Sequence, residues 1–174
     1  MRSHLTSSLT RPEPPMNTVR HLLNRSESPV RAVRPDATLV DCARMMMDQD
    51  AGALLVLEND ELRGLVSWHD VLAVVADRHE DLNAERVSAV MSTDLTTAAP
   101  DEDLQDVEAT MVEKEIHHVP VTEDGDVLGM ISQQTIVRDR LQLMSAVNKQ
   151  LSDYIREHYQ KGLTTGHRLY ESSL

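Results

Sequence analysis

With 174 residues the chain is long enough for one compact domain of ordinary size, and its formal charge of −12 argues against nucleic-acid binding, which needs dense positive charge facing the phosphates. Cys42 is the only cysteine, which excludes an internal disulfide and a cysteine-based zinc cluster and fits a reducing, cytoplasmic setting. No apolar run reaches membrane-spanning length, and with aromatic residues at 2% and no Phe the core must come from Val, Leu, Ile, Met and Ala.

Residues 1–16 are rich in Ser, Thr, Arg and Pro and lack the apolar stretch of a signal peptide. They are expected to form a disordered tail, with a docking arm as the alternative. Residues 17–76 read as a lead-in followed by strand, helix, strand, strand and helix. The lead-in is Val19–Leu23, and Val30–Arg34 is a short extended run that stops at Pro35. Thr38 and Asp41 make a capping-box pattern. Behind it Leu39, Cys42, Ala43, Met46 and Met47 recur at helical spacing. Ala53–Leu57 is a continuous apolar run, expected as a strand buried on both faces. Glu58-Asn59-Asp60 turns the chain into Leu62–Ser67, and a helix is expected from Asp70 to Ala76. Residues 77–86 are a charged link.

Residues 87–140 repeat the pattern. Ser132 stands 65 positions beyond Ser67, and at that offset residues 30–72 align with 95–137 without a gap. Pro35, Asp36, Leu39, Asp41, Met46, Val56, Glu58, Gly64 and Ser67 fall on identical residues at 100, 101, 104, 106, 111, 121, 123, 129 and 132. Asp103 is the expected helix cap, and Asp124-Gly125 the strongest hairpin signal. The lead-ins Val19–Leu23 and Val87–Met91 are offset by 68, so residues 24–29 carry three extra positions. Residues 141–161 read as a further helix with Met144, Val147, Leu151, Tyr154 and His158 on one stripe, either packed on its own domain or forming a short dimer seam. Residues 162–174 are expected to fray.

Each half is too small to bury a core alone. The expected fold is therefore α+β, two βαββα repeats packed as a pseudo-two-fold pair. Gly64-Leu-Val-Ser67-x-x-Asp70 at the second strand–helix junction, repeated in register at Gly129–Thr135, resembles the cystathionine β-synthase (CBS) domain, and two in tandem resemble a CBS pair, or Bateman module. Such proteins commonly bind AMP, ADP, ATP or S-adenosylmethionine between the repeats and regulate another protein rather than catalyse.

Asp70 could accept hydrogen bonds from two ribose hydroxyls, with Ser67 donating to ribose or phosphate and the helix N-terminus favouring an anion. Equally, Ser67 and Asp70 fit a capping box, and the two roles are compatible. The resemblance implies a facing wall of Ile116, His117 and His118, the histidines reaching phosphates. Adjacent strand residues point to opposite faces, so this pair is a poor metal site and no metal is expected. Ser92-Thr93 and Thr96-Thr97 are candidates for closing the adenine pocket; Trp68 could stack on the base, lie exposed or make a dimer contact. In the second repeat Thr135 replaces the aspartate, so Gly52, Ala53, Ser132 and Thr135 are expected to form a weaker cleft. The implied protein is a stand-alone, non-catalytic, cytoplasmic homodimer without a required cofactor. It would bind an adenosine-containing regulatory ligand and act on an unidentified partner. The alternative is an interaction scaffold with degenerate clefts.

Overall fold

The computed structural model describes residues 17–26, 30–78 and 84–167, and their side chains except at 77, 78 and 157–167. The expected tail at 1–16 and residues 168–174 lie outside the described residues. The chain divides into two units, up to Gln133 and from Gln134 onward.

The first unit runs α1 (Val19–Ser26), β1 (Ala32–Val33), α2 (Leu39–Asp48), β2 (Ala53–Glu58), β3 (Glu61–Ser67), α3 (Trp68–Arg78), α4 (Val87–Val90), α5 (Leu104–Glu113), β4 (His118–Glu123) and β5 (Asp126–Ser132). This mixed architecture is the expected α+β arrangement. β1 pairs parallel with β2, and β2 antiparallel with β3. In the second repeat β4 and β5 form the matching hairpin, but its first strand is reduced to one parallel bridge, Ala98 to Val121. Both hairpins turn on two residues with positive φ, Asn59-Asp60 and Asp124-Gly125, the twist that suits a tight hairpin. Both carry a register shift at the same place, Val56/Leu57 and Val121/Thr122.

The helices begin and end as their sequences dictate. Thr38 Oγ1 accepts from the Asp41 N–H at 3.1 Å, and Asp103 accepts from the Gln105 N–H at 2.8 Å, satisfying donors that the first turn leaves orphaned. At the other end Asp50 and Glu115 take the left-handed conformation, φ 48° and 54°. The next residues' amides, Ala51 and Ile116, reach back to Met46 and Met111 carbonyls at 2.8 and 2.9 Å, a Schellman closure. This turn delivers the chain into β2 and β4. α3 starts at Trp68, two residues before the expected Asp70.

Ala53, Leu54, Leu55 and Val56 are fully buried, because β2 is covered on both faces. Leu54 and Val56 pack with Leu39, Cys42, Met46, Val66, Val71, Val74 and Val87. Ala53, Leu55 and Leu65 face the other way, against Leu95, Val127 and Met130 of the second repeat. Burying each such leucine stabilises the fold by about 1.5–3 kcal/mol.

The lead-ins are exchanged between the halves. Leu104 N–H donates to Asn17 O and Val19 N–H to Glu102 O, at 2.9 and 3.1 Å. Leu39 N–H donates to Glu85 O and Val87 N–H to Ala37 O, at 3.1 and 3.0 Å. Each lead-in thus pairs with the helix entry of the opposite repeat, in equivalent register. Glu85 and Arg86, read from sequence as link, belong to this pairing. The same exchange explains the repeated glycine. A Cβ on Gly64 would lie 2.7 Å from Ser92 O and 2.9 Å from Met91 Sδ, and one on Gly129 would lie 3.1 Å from Leu23.

The second unit is helical. α6 (Gln133–His167) is continuous and takes in the further helix expected over 141–161. No Gly or Pro interrupts residues 133–161, so nothing in the sequence stops the helix there.

Candidate functional site

The junction of β3 and α3 places Ser67 and Asp70 by local geometry. Asp70 Oδ2 accepts from both the Ser67 N–H and the Ser67 O–H, each at 2.7 Å, while Ser67 Oγ lies 3.4 Å from the Asp70 amide. This is the capping box in full. It fixes the carboxylate at the mouth of the helix N-terminus. One oxygen is engaged, and the other is left for a further donor.

Opposite stands the turn after α5. Ile116, His117 and His118 close a cavity of about 640 Å³ with Ser67, Trp68 and Asp70, a volume in the range of small-ligand sites. The two pieces come from different repeats. His117 Nδ1 sits 2.8 Å from Gln133 Oε1, which orients the ring. His118 is half-buried; burial, and then the neighbouring His117, push its pKa below the ordinary histidine value, so it is neutral at pH 7. Thr96 also lines the cavity and accepts a 3.0 Å hydrogen bond from Lys114 Nζ.

Three expected positions differ. Thr93 is exposed and off the wall, whereas Ser92 and Asp94 on either side of it line the cavity. Ser92 is held beside Leu65, which also lines the cavity, by two backbone hydrogen bonds of 2.9 and 2.8 Å. Gly52, expected in the second cleft, lies on the wall of the Asp70 cavity. Its carbonyl accepts from the Trp68 N–H at 3.1 Å, and a Cβ there would stand 3.2 Å from His118 Nε2. Ala53 is packed in the apolar layer between the sheets and is fully buried, not a cleft residue. Ser132 ends β5 opposite His118; Thr135 falls in the second unit. Sequence reading missed Leu65, His69, Asp94, Leu95 and Glu115 on the wall. Asp94 and Glu115 sit in loops whose path depends on the lead-in exchange and the left-handed turn.

Among the described residues no group of three His, Cys, Asp or Glu is placed to hold a metal ion, and no helix is long and apolar enough to cross a membrane. The family model for the CBS domain matches residues 19–77 and 87–141, most of the chain. The chain belongs to the CBS-domain family. Within that family it is 27% identical over 103 residues to the CBS domain-containing protein YhcV of Bacillus subtilis, a match covering 59% of this chain and 73% of YhcV. The mitochondrial CBS domain-containing protein CBSX3 of Arabidopsis thaliana is 26% identical over 129 residues, which are 71% of this chain and 63% of that one. Among solved structures, the CBS-domain protein ATU1752 of Agrobacterium tumefaciens superposes with a TM-score of 0.67 at 26% identity, covering 71% of this chain and 98% of its own. The CBS pair of protein MJ0100, solved with 5′-methylthioadenosine and S-adenosyl-L-methionine, shares the fold with a TM-score of 0.63 at 21% identity, covering 71% and 95%.

Proposed function

We propose that this CBS pair is a regulatory module that binds an adenosine-containing ligand in the Asp70 cavity and transmits its occupancy to a partner protein, without catalysing a reaction. The observation that carries the reading is the convergence of the Ser67–Asp70 junction of one repeat with Ile116-His117-His118 of the other around one cavity of about 640 Å³. The MJ0100 pair, which holds two adenosine compounds, supports the ligand class by analogy of fold. Asp70 takes the ribose diol through its remaining oxygen, in charge-assisted hydrogen bonds. Trp68 and Ile116 offer apolar surface to the base. A ligand acts as a signal only by binding two conformations unequally, and a cavity built from both repeats is suited to that because its width depends on their spacing.

The wall also ranks the ligands. Among the described residues that line it, Asp70, Asp94 and Glu115 are carboxylates, the basic side chains are histidines, and no Lys or Arg is present. Affinity therefore falls as phosphates are added, with S-adenosylmethionine, methylthioadenosine and AMP ahead of ADP and ATP. Isothermal titration with the five compounds tests this. Asp70→Ala should weaken the best of them tenfold or more, since charged hydrogen bonds contribute about 1.5–3 kcal/mol each, and the ligand should be recovered unchanged. Flat traces for all five would leave the scaffold reading, which the engagement of Asp70 Oδ2 by Ser67 favours.

A further inference from the structure

α6 carries a stripe of exposed apolar side chains. From Arg140 to Arg156 every residue is exposed. Val137, Leu141, Met144, Val147, Leu151, Tyr154 and Ile155 are each more than half exposed. Their spacing is that of a seam. Leu141 and Ile155 fall on one core position of a heptad, Val137, Met144 and Leu151 on the other, and Val147 and Tyr154 flank them. The remaining core position, midway along, is Asn148.

We propose that α6 pairs with α6 of a second copy of this chain, parallel and in register, along Val137–Ile155. Three observations select this occupant. First, the area suffices. At about 90 Å² from each of the seven side chains, a pair of helices buries about 1,200 Å² in total, above the roughly 1,000 Å² expected of a specific interface. Second, Asn148 has a partner only in this arrangement. In a parallel, in-register pair the two Asn148 amides meet and hydrogen-bond across the seam, whereas an antiparallel pair sets each against an apolar layer. Third, charge permits it. Arg140 flanks the seam, and parallel packing sets it across from Ser145 of the second copy, with no like charge opposed. Val147 likewise faces Ser152. The seam is short for a free-standing coiled coil, but the helix need not nucleate. It continues from a helix start fixed at the end of β5, so the unfavourable first turn is already formed.

Sedimentation equilibrium of the full chain from 1 to 100 µM should give twice the monomer mass, with dissociation in the micromolar range. Leu141→Glu with Leu151→Glu should return a monomer whose thermal midpoint for the CBS pair shifts by no more than a few degrees. Under mild oxidation Leu151→Cys should cross-link to itself in high yield, because this core position meets its own copy only in a parallel pair, while Asn148→Leu should add species larger than a dimer. A wild-type monomer at 100 µM, a dimer that survives the double glutamate change, or a Leu151→Cys variant that does not cross-link would each overturn the proposal. None of these readouts depends on ligand binding, so they stand or fall apart from the Asp70 cavity.

Discussion

The two repeats share a backbone and differ at the rim. Their hairpins turn on the same two positions and shift register at the same step. Their helices close at the same left-handed position, Asp50 and Glu115, and their lead-ins cross to equivalent partners. Yet at the offset of 65 Gly52 stands where the second repeat has His117, Trp68 where it has Gln133, and Asp70 where it has Thr135. Positions that hold the two halves together are under one steric demand and stay alike; positions that face open space are under none and have drifted. Even hydrogen bonds common to both halves show the split. Trp68 N–H donates to Gly52 O and Gln133 N–H to His117 O, at 3.1 and 3.2 Å, so the main chain is held alike while the side chains around it diverge.

The largest break in that likeness is expected at the repeated glycine. In the first repeat an added methyl meets a backbone carbonyl, Ser92 O at 2.7 Å, which pairs with Leu65 and cannot retreat. In the second it meets the end of a flexible leucine at 3.1 Å. Gly64→Ala should therefore cost about 2–3 kcal/mol through overpacking, and Gly129→Ala should stay within about 0.5 kcal/mol of wild type. Urea denaturation of the two variants measures the gap; equal losses would mean that the lead-ins do not press on the two repeats unequally.

A smaller difference concerns pH. His118, where the first repeat has Ala53, is held below its ordinary pKa by burial and by His117. The unfolded chain therefore takes up this proton more readily than the folded one. Neutral His118 weighs nothing against folding above about pH 6.5, and stability falls as pH drops through that value toward the folded pKa, at most about 1.4 kcal/mol per unit. His118→Ala, which writes the first repeat's residue into the second, should flatten the part of the stability profile between pH 7.5 and 5.5 that belongs to this group. An unchanged slope in the variant would assign the acid sensitivity elsewhere.

Much of this was legible because duplication prints itself twice. The offset of 65, the caps at Thr38 and Asp103, the turn at Asp124-Gly125 and the doubly buried run, which holds over Ala53–Val56 of the expected Ala53–Leu57, each have a structural counterpart. Ser67-x-x-Asp70 and Ile116-His117-His118 were found through family resemblance, and the structure brings them to one cavity. The lead-in exchange was not legible. It left one trace, the offset of 68 in place of 65, which shows that the lead-ins are separable from their repeats but not which partner each will choose. The misplacement of Gly52 and Thr93 follows from the same blindness. Which face a loop residue presents is decided by Ser92 pairing with Leu65 and Trp68 with Gly52, contacts between segments far apart in sequence.

The smallest expected effect is at Cys42, and it probes the shared core directly. Burial, and secondarily the charge of Asp70, raise its thiol pKa to about 11, so at pH 8 little thiolate forms and the side chain is also covered. Its counterpart 65 residues on is Val107, buried as well, in a helix capped at the equivalent position and ended by the same closing turn. If the two helices sit in equivalent packing, valine should fit where cysteine does, since each fills a small apolar site without needing a polar partner. Cys42→Val should then change stability by less than about 1 kcal/mol. Labelling of the wild-type thiol by a disulfide reagent at pH 8 should be at least a hundredfold slower in the folded protein than in 6 M urea. Fast labelling without denaturant would place this helix face in solvent and break the equivalence of the halves at its core. A large loss in the valine variant would show instead that the core under Asp70 is shaped for that half alone, and the likeness of the repeats would end at the backbone.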